Sequence, residues 1–453
     1  MLSPAFLDAL KARFPDSLDD PAECLAYGFD NSRRVCRPEA VVFAGSTEDV
    51  VALVRLCHDH VVPLVPRGRG TGTAGGSLPE QGGVVLSLER MRRIVRVDVA
   101  NRLMEVEPGV LNAEVQDAAR AHGFFWPPDP SSGAYCSVGG NLATCAAGPR
   151  AVKYGVTRDH VLGLEAVTGT GAVIHCGGHA SKNAVGYDLT RLLIGSEGTL
   201  AVVTRAILRL MPLPAATSGL SAHYRDVESC AAAITAIMGQ PNVPSALEFL
   251  DAAALDLLRA RHPALLPPQT RALLMIEVDG SAAAIAEAQE AILAACRNDG
   301  LLATRIEPDP QALWAARKAL SPLLRDVAPK KINEDVAVPV SRLPELLRGI
   351  AELAGQYRVA NVNFGHAGNG NIHVNLLVDP DDAEQLARAQ ACLDAVFDLV
   401  LRLDGTLSGE HGVGSEKRPF VPRQIDATTR RLMQDIKTVF DPRHILNPGK
   451  LFP

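Results

Sequence analysis

Paired cysteines are missing from this chain. Its nine cysteines (Cys24, Cys36, Cys57, Cys136, Cys145, Cys176, Cys230, Cys296, Cys392) are scattered and never form Cys-x-x-Cys. That pattern argues for reduced, cytoplasmic thiols and against an iron–sulfur cluster or zinc ribbon. Positive charge is not in excess either. The formal net charge is -6, whereas binding nucleic-acid phosphates needs a basic face, so no nucleic-acid partner is expected. No uncharged apolar run reaches transmembrane length. Met1 to Asp16 is a mixed amphipathic stretch with Lys11 and Arg13 inside it, not the apolar segment of a signal peptide. Internal repeats and low-complexity segments are also absent. What remains is ordinary for a globular protein, 47% hydrophobic and 21% charged. At 453 residues the chain exceeds what one core serves, and two or more domains are expected.

The first 210 or so residues read as an α+β domain. Val41-Val42-Phe43 is followed by an amphipathic helix, Thr47 to His60, with Ser46 or Thr47 as cap and Glu48-Asp49 in its first turn. A short strand, Val61 to Val65, then runs into Gly68-Arg69-Gly70-Thr71-Gly72-Thr73-Ala74-Gly75-Gly76. Short β-rich runs follow at Gly83 to Leu88, Ile94 to Asp98, Leu103 to Glu107, Leu162 to Val167, Val173 to Cys176 and Leu200 to Leu210. Pro212-Leu213-Pro214 and Ala215 to Gly219 mark a boundary. Beyond it, helical stretches (Val227 to Met238, Ser281 to Asn298, Pro310 to Leu320, Asp382 to Arg402) alternate with strands (Ala272 to Val278, Val359 to Phe364, Ile372 to Val378). Helices laid across an antiparallel sheet suit this order. Thr428 to Phe440 reads as a packed amphipathic helix with Leu432, Ile436 and Phe440 on one side.

The chemistry concentrates in Asn363 to Asn375 and in Ser408-Gly409-Glu410-His411-Gly412. Asn369-Gly370 signals a two-residue type I′ hairpin turn. Counting outward pairs His366 with His373 on one face, where two imidazoles could share a divalent cation, with Asn375 projecting from that face. Glu410 is the natural third ligand and His411 a candidate base beside it. Pro66 to Gly76 crowds glycines after a strand, freeing backbone N–H groups to converge on an anion, and Arg67 and Arg69 add charge. The spaced dinucleotide fingerprint is absent and no helix is expected after Gly76, which disfavours a nicotinamide site. Ser137 to Gly148 and Gly195 to Leu200 are further small-residue segments that let a flat or extended ligand approach the backbone.

Taken in order, Pro66-Arg67-Gly68-Arg69-Gly70-Thr71-Gly72, Val138-Gly139-Gly140-Asn141, Tyr154-Gly155, Asn183-x-x-Gly186-Tyr187-Asp188, Gly195 to Leu200, Gly365-His366-x-Gly368-x-Gly370-Asn371-x-His373 and Gly409 to Gly412 resemble the FAD-linked oxidases of the vanillyl-alcohol oxidase type. The resemblance covers nearly the whole chain. It is closest to the branch of D-lactate dehydrogenases, glycolate oxidase flavin subunits and D-2-hydroxyglutarate dehydrogenases. It implies an α+β fold: a two-part FAD-binding domain (1–214), a ferredoxin-like substrate or cap domain (215–405), and a C-terminal helical segment (406–453) returning to the flavin. Arg67 to Gly72 would hold the pyrophosphate; Gly139 to Thr144 and Gly148 would line the flavin. Pro66, Val138, Tyr154 and Gly155 belong to the same cofactor motifs, and Glu197-Gly198 would sit near the adenine and ribose. His366, His373 and Glu410 match the metal ligands (Zn, Mn or Fe), Asn375 a substrate contact, His411 the base and Arg317 the substrate arginine. Many relatives have glycine in place of Arg69. No histidine is placed for covalent attachment, so FAD is expected to be non-covalent.

Arg317 would bind a carboxylate bidentately. Relatives acting on D-2-hydroxyglutarate tend to carry a lysine where this chain has Asn333, with Lys330 and Lys331 out of register, which favours a monocarboxylate such as D-lactate. Oxidation at C2 would pass a hydride to flavin N5, with the cation on the hydroxyl and His411 taking its proton. Electrons would leave to an external acceptor: a quinone, an electron-transfer flavoprotein, a cytochrome or an iron–sulfur subunit. A cytoplasmic protein follows, membrane-associated at most through that acceptor, with homodimerisation left open. Two other readings are a metal-dependent hydrolase, in which the glycine loops are mere turns, and a non-catalytic flavin subunit whose activity resides in a partner.

Overall fold

The computed structural model describes residues 2–261, 267–307 and 311–453. Met1 and Pro310, the expected starts of the first stretch and of one helix, lie outside the described residues. The chain divides into two compact units: Met1–Ala147 with Gly155–Leu213 and Glu410–Pro453, and Gly148–Tyr154 with Pro214–Gly409.

In the first unit a three-stranded parallel sheet sets Val84–Ser87 between Ala40–Phe43 and Leu64–Arg67. The helix Thr47–His60 makes the crossover between the outer two. Ser46 Oγ accepts from Asp49 N at 3.2 Å, Glu48 and Asp49 favour the positive N-terminus, and Val61 closes the helix in the left-handed region. Val61 is thus a cap, and the strand begins at Leu64 rather than at Val61. A five-stranded antiparallel sheet follows in the order Ile94–Asp98, Leu103–Val106, Ala201–Arg209, Val161–Thr168, Val173–Gly177. The C-terminal segment is laced into this unit: Leu64 N donates to Ile445 O at 2.8 Å and Asn447 N to Leu64 O at 2.8 Å. Of the terminal helix Ala427–Phe440, Ile436 and Phe440 pack on the core while Leu432 stays exposed, contrary to the expected shared face.

The second unit is one antiparallel sheet of seven strands, in the order Leu301–Glu307, Ala216–Tyr224, Ala272–Gly280, Ala246–Leu250, Ala360–His366, Asn371–Val378, Lys330–Ala337. Numbered along the chain, the first four of these have the spatial order 4-1-3-2, the ferredoxin-like arrangement. The other three extend it. Ala216–Tyr224, whose first residues fall within the expected boundary Ala215 to Gly219, is a full strand, because its buried half (Leu220, Ala222, Tyr224) pairs on both sides. On one face the helices Ala252–Arg261 and Gln311–Val327 cover Leu250, Leu273, Met275, Val362 and Phe364. Gly148–Tyr154 belongs to this unit: Tyr154 Oη donates to Asp279 Oδ2 at 2.6 Å, and Lys153 pairs with the same carboxylate.

Candidate active site

The hairpin carrying the two histidines is not the expected two-residue turn. Ala367–Asn369 forms a 3-10 turn closed by Gly370 N on Ala367 O at 3.0 Å, and only Gly370 has a positive φ, of 69°. A type I′ turn needs two such residues, so the loop lengthens to four. Gly370 is obligatory there, since a Cβ would collide with Val338 O. The longer loop shifts the register. His366 faces Asn371 and His373 faces Phe364, so the two histidines are diagonal neighbours on one face rather than an opposed pair.

They still converge. Their Nε2 atoms are 3.5 Å apart and the rings meet edge to face with centroids at 5.1 Å. Two nitrogens bound to one tetrahedral cation at about 2.0–2.1 Å would sit about 3.3 Å from each other. Nδ1 of His366 is held by Glu248, a carboxylate on the adjacent strand facing His366 in register. Glu248 Oε2 accepts from Arg317 Nε at 2.7 Å, and the Arg317 guanidinium lies 4.4 Å from the centroid of Phe364. Both charges are buried. Burial alone would raise the Glu248 carboxyl, but the His366 and Arg317 charges and hydrogen bonds outweigh it and hold it at about 2. A carboxylate behind a histidine fixes which nitrogen faces forward and raises its basicity, as in metal-ligating histidines.

Glu248 is the residue that sequence reading missed. Its signal is a lone acid inside the apolar run Ala246-Leu247-Glu248-Phe249-Leu250, where a buried charge needs a partner. Asn375 shares the face but is fully buried. Its Nδ2 donates to Val362 O at 3.0 Å and His373 O at 3.2 Å, and its Oδ1 accepts from Asn333 Nδ2 at 2.6 Å. Those bonds lock the strand that carries His373. Lys331 Nζ donates to Ser321 Oγ at 2.7 Å. Among the described residues, His366, His373 and Glu410 form the set of donor types that could hold a metal ion. Glu410 is bonded directly to Gly409, whose N–H donates to Asp335 O at 3.0 Å; Asp335 in turn faces His373 in register. Residues 409–411 form bends rather than the extended segment expected of Glu410-His411, and Gly412 follows them with a φ of 82°.

In the first unit Pro66 and Arg67 end the strand Leu64–Arg67, and the chain leaves the sheet as a loop from Gly68 to Gly72. Arg67 is buried beneath it, its Nη1 donating to Ser77 Oγ at 3.2 Å, and burial lowers its guanidinium from the ordinary value. Gly70 has a φ of 64°, and a Cβ there would run into the Arg67 guanidinium. At Gly72 an added Cβ would meet nothing within 4 Å, so open space lies on that side of the loop. Arg69 is half exposed and pairs with Glu89 at 3.4 Å. Gly68 packs on Ser137, the cap of the helix Val138–Thr144. Val138 faces the core, Gly139 lies against Pro108, and Thr144 Oγ1 donates back to Gly140 O at 3.3 Å. Asn141 is buried, with its side-chain amide against the Cys136 thiol. Gly148 and Gly155 have φ of 134° and 85°, and Gly198 packs on Pro66 at 3.2 Å from an added Cβ. The open side of the loop at Gly72, over the buried Arg67 guanidinium, fits a bound flavin nucleotide.

Comparison with known proteins agrees. A model described as FAD linked oxidases, C-terminal domain, matches residues 213–451, and one described as FAD binding domain matches residues 38–177. The chain is 37% identical over 443 residues to the glycolate oxidase subunit GlcD of Bacillus subtilis, covering 97% of this chain and 94% of that protein. It is 34% identical over 427 residues to a D-lactate dehydrogenase of Anaerostipes hadrus, covering 92% and 90%. Among solved structures, 4-ethylphenol oxidase from Gulosibacter chungangensis superposes with a TM-score of 0.80 at 20% identity, covering 100% of this chain and 98% of that one. That likeness establishes the fold. With its catalytic-side and flavin-side segments both matched, this chain belongs to the FAD-linked oxidases.

Proposed function

We propose that this protein is a FAD-dependent dehydrogenase that oxidises a D-2-hydroxy acid, D-lactate first among them, to the 2-oxo acid, with a divalent cation held by His366, His373 and Glu410. The observation that carries the reading is the carboxylate of Glu248, which holds a cation-ready histidine with one oxygen and a carboxylate-binding arginine with the other. The names of the relatives from Bacillus subtilis and Anaerostipes hadrus support a 2-hydroxy acid as substrate. When bound, FAD would supply the hydride acceptor for C2, and a cation held by His366, His373 and Glu410 would supply Lewis acidity at the 2-hydroxyl oxygen.

The protein's own residues do the rest. Arg317, with Nε committed to Glu248, offers its two Nη groups to the substrate carboxylate. His411 receives the hydroxyl proton on a ring nitrogen as a neutral imidazole. Arg67, Gly70 and Gly72 cradle the pyrophosphate, and Asn141 Nδ2 meets a polar edge of the flavin. FAD is held without a covalent bond. A monocarboxylate is favoured because the side chain at position 333 is a neutral amide tied to Asn375 and not a lysine. Lacking Cys-x-x-Cys, the chain would hand its electrons to an external acceptor such as a quinone, an electron-transfer flavoprotein, a cytochrome or an iron–sulfur subunit.

Anaerobic bleaching of the flavin with a panel of D- and L-2-hydroxy acids tests this. D-lactate should bleach it fastest. Glu410→Ala should lose the metal, whereas His411→Ala should keep metal and FAD yet reduce its flavin about 10²–10⁴-fold more slowly. A yellow wild-type protein that no D-2-hydroxy acid bleaches overturns the reading.

A further inference from the structure

Glu197 presents an arrangement that flavin binding does not explain. The resemblance would set it near the adenine and ribose, yet both carboxylate oxygens are occupied: Oε1 accepts from Val413 N at 2.6 Å and Oε2 from Gly414 N at 2.8 Å. Val413 is two residues after His411. Glu197 is itself buried and has a φ of 52°, a conformation that a non-glycine residue holds only where its surroundings impose it. Two bonds hold its backbone, and the second ties it to the glycine loop. Glu197 N donates to Ala143 O at 2.8 Å, and Asn447 Nδ2 bridges Glu197 O at 2.7 Å and Gly76 O at 2.8 Å. The held segment is glycine-permitted on its near side, since a Cβ at Gly412 would stand 2.6 Å from Glu197 Oε1. Ser415 N and Glu416 N then donate to Ala74 O at 3.0 and 3.2 Å, so the segment continues along the glycine loop.

We propose that Glu197 is the positioning residue for His411. It is a strut that fixes the peptide after His411 to the flavin-side scaffold, so that the imidazole stands where a substrate hydroxyl proton can reach it. The proposal rests on His411 as the base. A carboxylate suits the task because it offers two acceptors to two adjacent backbone donors. A glutamine keeps one and turns an N–H₂ toward the other.

The test uses the holoenzyme carrying Glu197→Gln and, separately, Gly412→Ala, which pushes on the same contact from the opposite side and serves if the first variant does not fold. FAD per chain, hydrogen exchange of the Val413–Gly414 amides, and flavin reduction by D-lactate are measured together. FAD content should match wild type, while amide exchange in that peptide rises about tenfold or more. Reduction at saturating substrate should fall about tenfold or more with substrate affinity little changed, as for an interaction that acts only in the transition state. Flavin loss in step with the rate would make Glu197 a cofactor residue and overturn the proposal. Unchanged exchange, or faster exchange with a wild-type reduction rate, would overturn it as well. If no 2-hydroxy acid reduces the wild-type flavin, the catalytic reading fails by itself, and the exchange measurement still decides whether Glu197 holds the segment.

Discussion

Arg317 and His366 are joined through one carboxylate: Glu248 Oε2 accepts from Arg317 Nε at 2.7 Å and the other oxygen engages His366 Nδ1. The arginine proposed for the substrate and the histidine proposed for the metal therefore share a single anchor. Removing that anchor should disturb both.

Glu248→Gln keeps the shape of the side chain but halves its acceptors and removes its charge. Bound metal, titrated against a chelator, should weaken about 10- to 100-fold, as when other outer partners of ligating histidines are removed. Glu248→Ala leaves a buried guanidinium uncompensated and should also cost about 3–5 kcal/mol of stability in denaturant titration. A Glu248→Gln protein with wild-type metal affinity would detach Glu248 from the metal site.

Gly70 and Gly72 separate two ways of losing flavin. Gly70→Val places a side chain against Arg67 at a left-handed backbone position, so the loop itself must deform. Gly72→Ala meets nothing in the protein, so only a ligand can feel the new methyl group. Flavin absorbance should vanish in Gly70→Val while circular dichroism still reports a folded chain. In Gly72→Ala the apoprotein should melt at the wild-type temperature but bind FAD more weakly. Full flavin in both variants would move the pyrophosphate elsewhere.

His223 gives a pH signature far from the chemistry. It is buried between Ser221 and Thr270, and burial, with Arg305 adding to it, pushes its imidazole down to about 4 from the ordinary 6.5. A depressed folded-state value means stability fully present above pH 6.5 and lost as the pH falls toward 4, because the unfolded chain takes up the proton first. The loss should approach about 3 kcal/mol. His223→Gln should flatten that part of the stability curve, measured by urea unfolding between pH 7 and 4; an unchanged slope would assign it to other groups.

The sequence made the local elements legible where periodicity and caps agree, as at Thr47–His60, whose bounds and cap are those observed. Glycine clusters singled out the loop after Arg67, and histidine spacing singled out the convergent pair His366 and His373. Register was not legible. Asn369-Gly370 looks like a two-residue turn, but the 3-10 geometry of Ala367–Asn369 and the collision awaiting any side chain at Gly370 are decided by Val338, 32 residues earlier in the chain. Glu248 was hidden for the same reason. Nothing near it in sequence shows that a strand 118 residues away will bring His366 to its side. Glu197 likewise reads as part of a cofactor motif until Val413 and Gly414 are seen to occupy its oxygens.

The lacing of residues 445–447 onto Leu64 and Gly76 bears on how the protein is made. The amide of Asn447 reaches Gly76 across 371 residues of chain, and contacts so remote in sequence close late because their loop entropy is met before any other contact rewards it. During synthesis the flavin loop therefore emerges long before the residues that clamp it, and the entire second unit is translated in between. At about 5–20 residues per second that interval is tens of seconds. Closure of the Gly76 loop by Asn447 therefore comes only after the whole second unit has been translated.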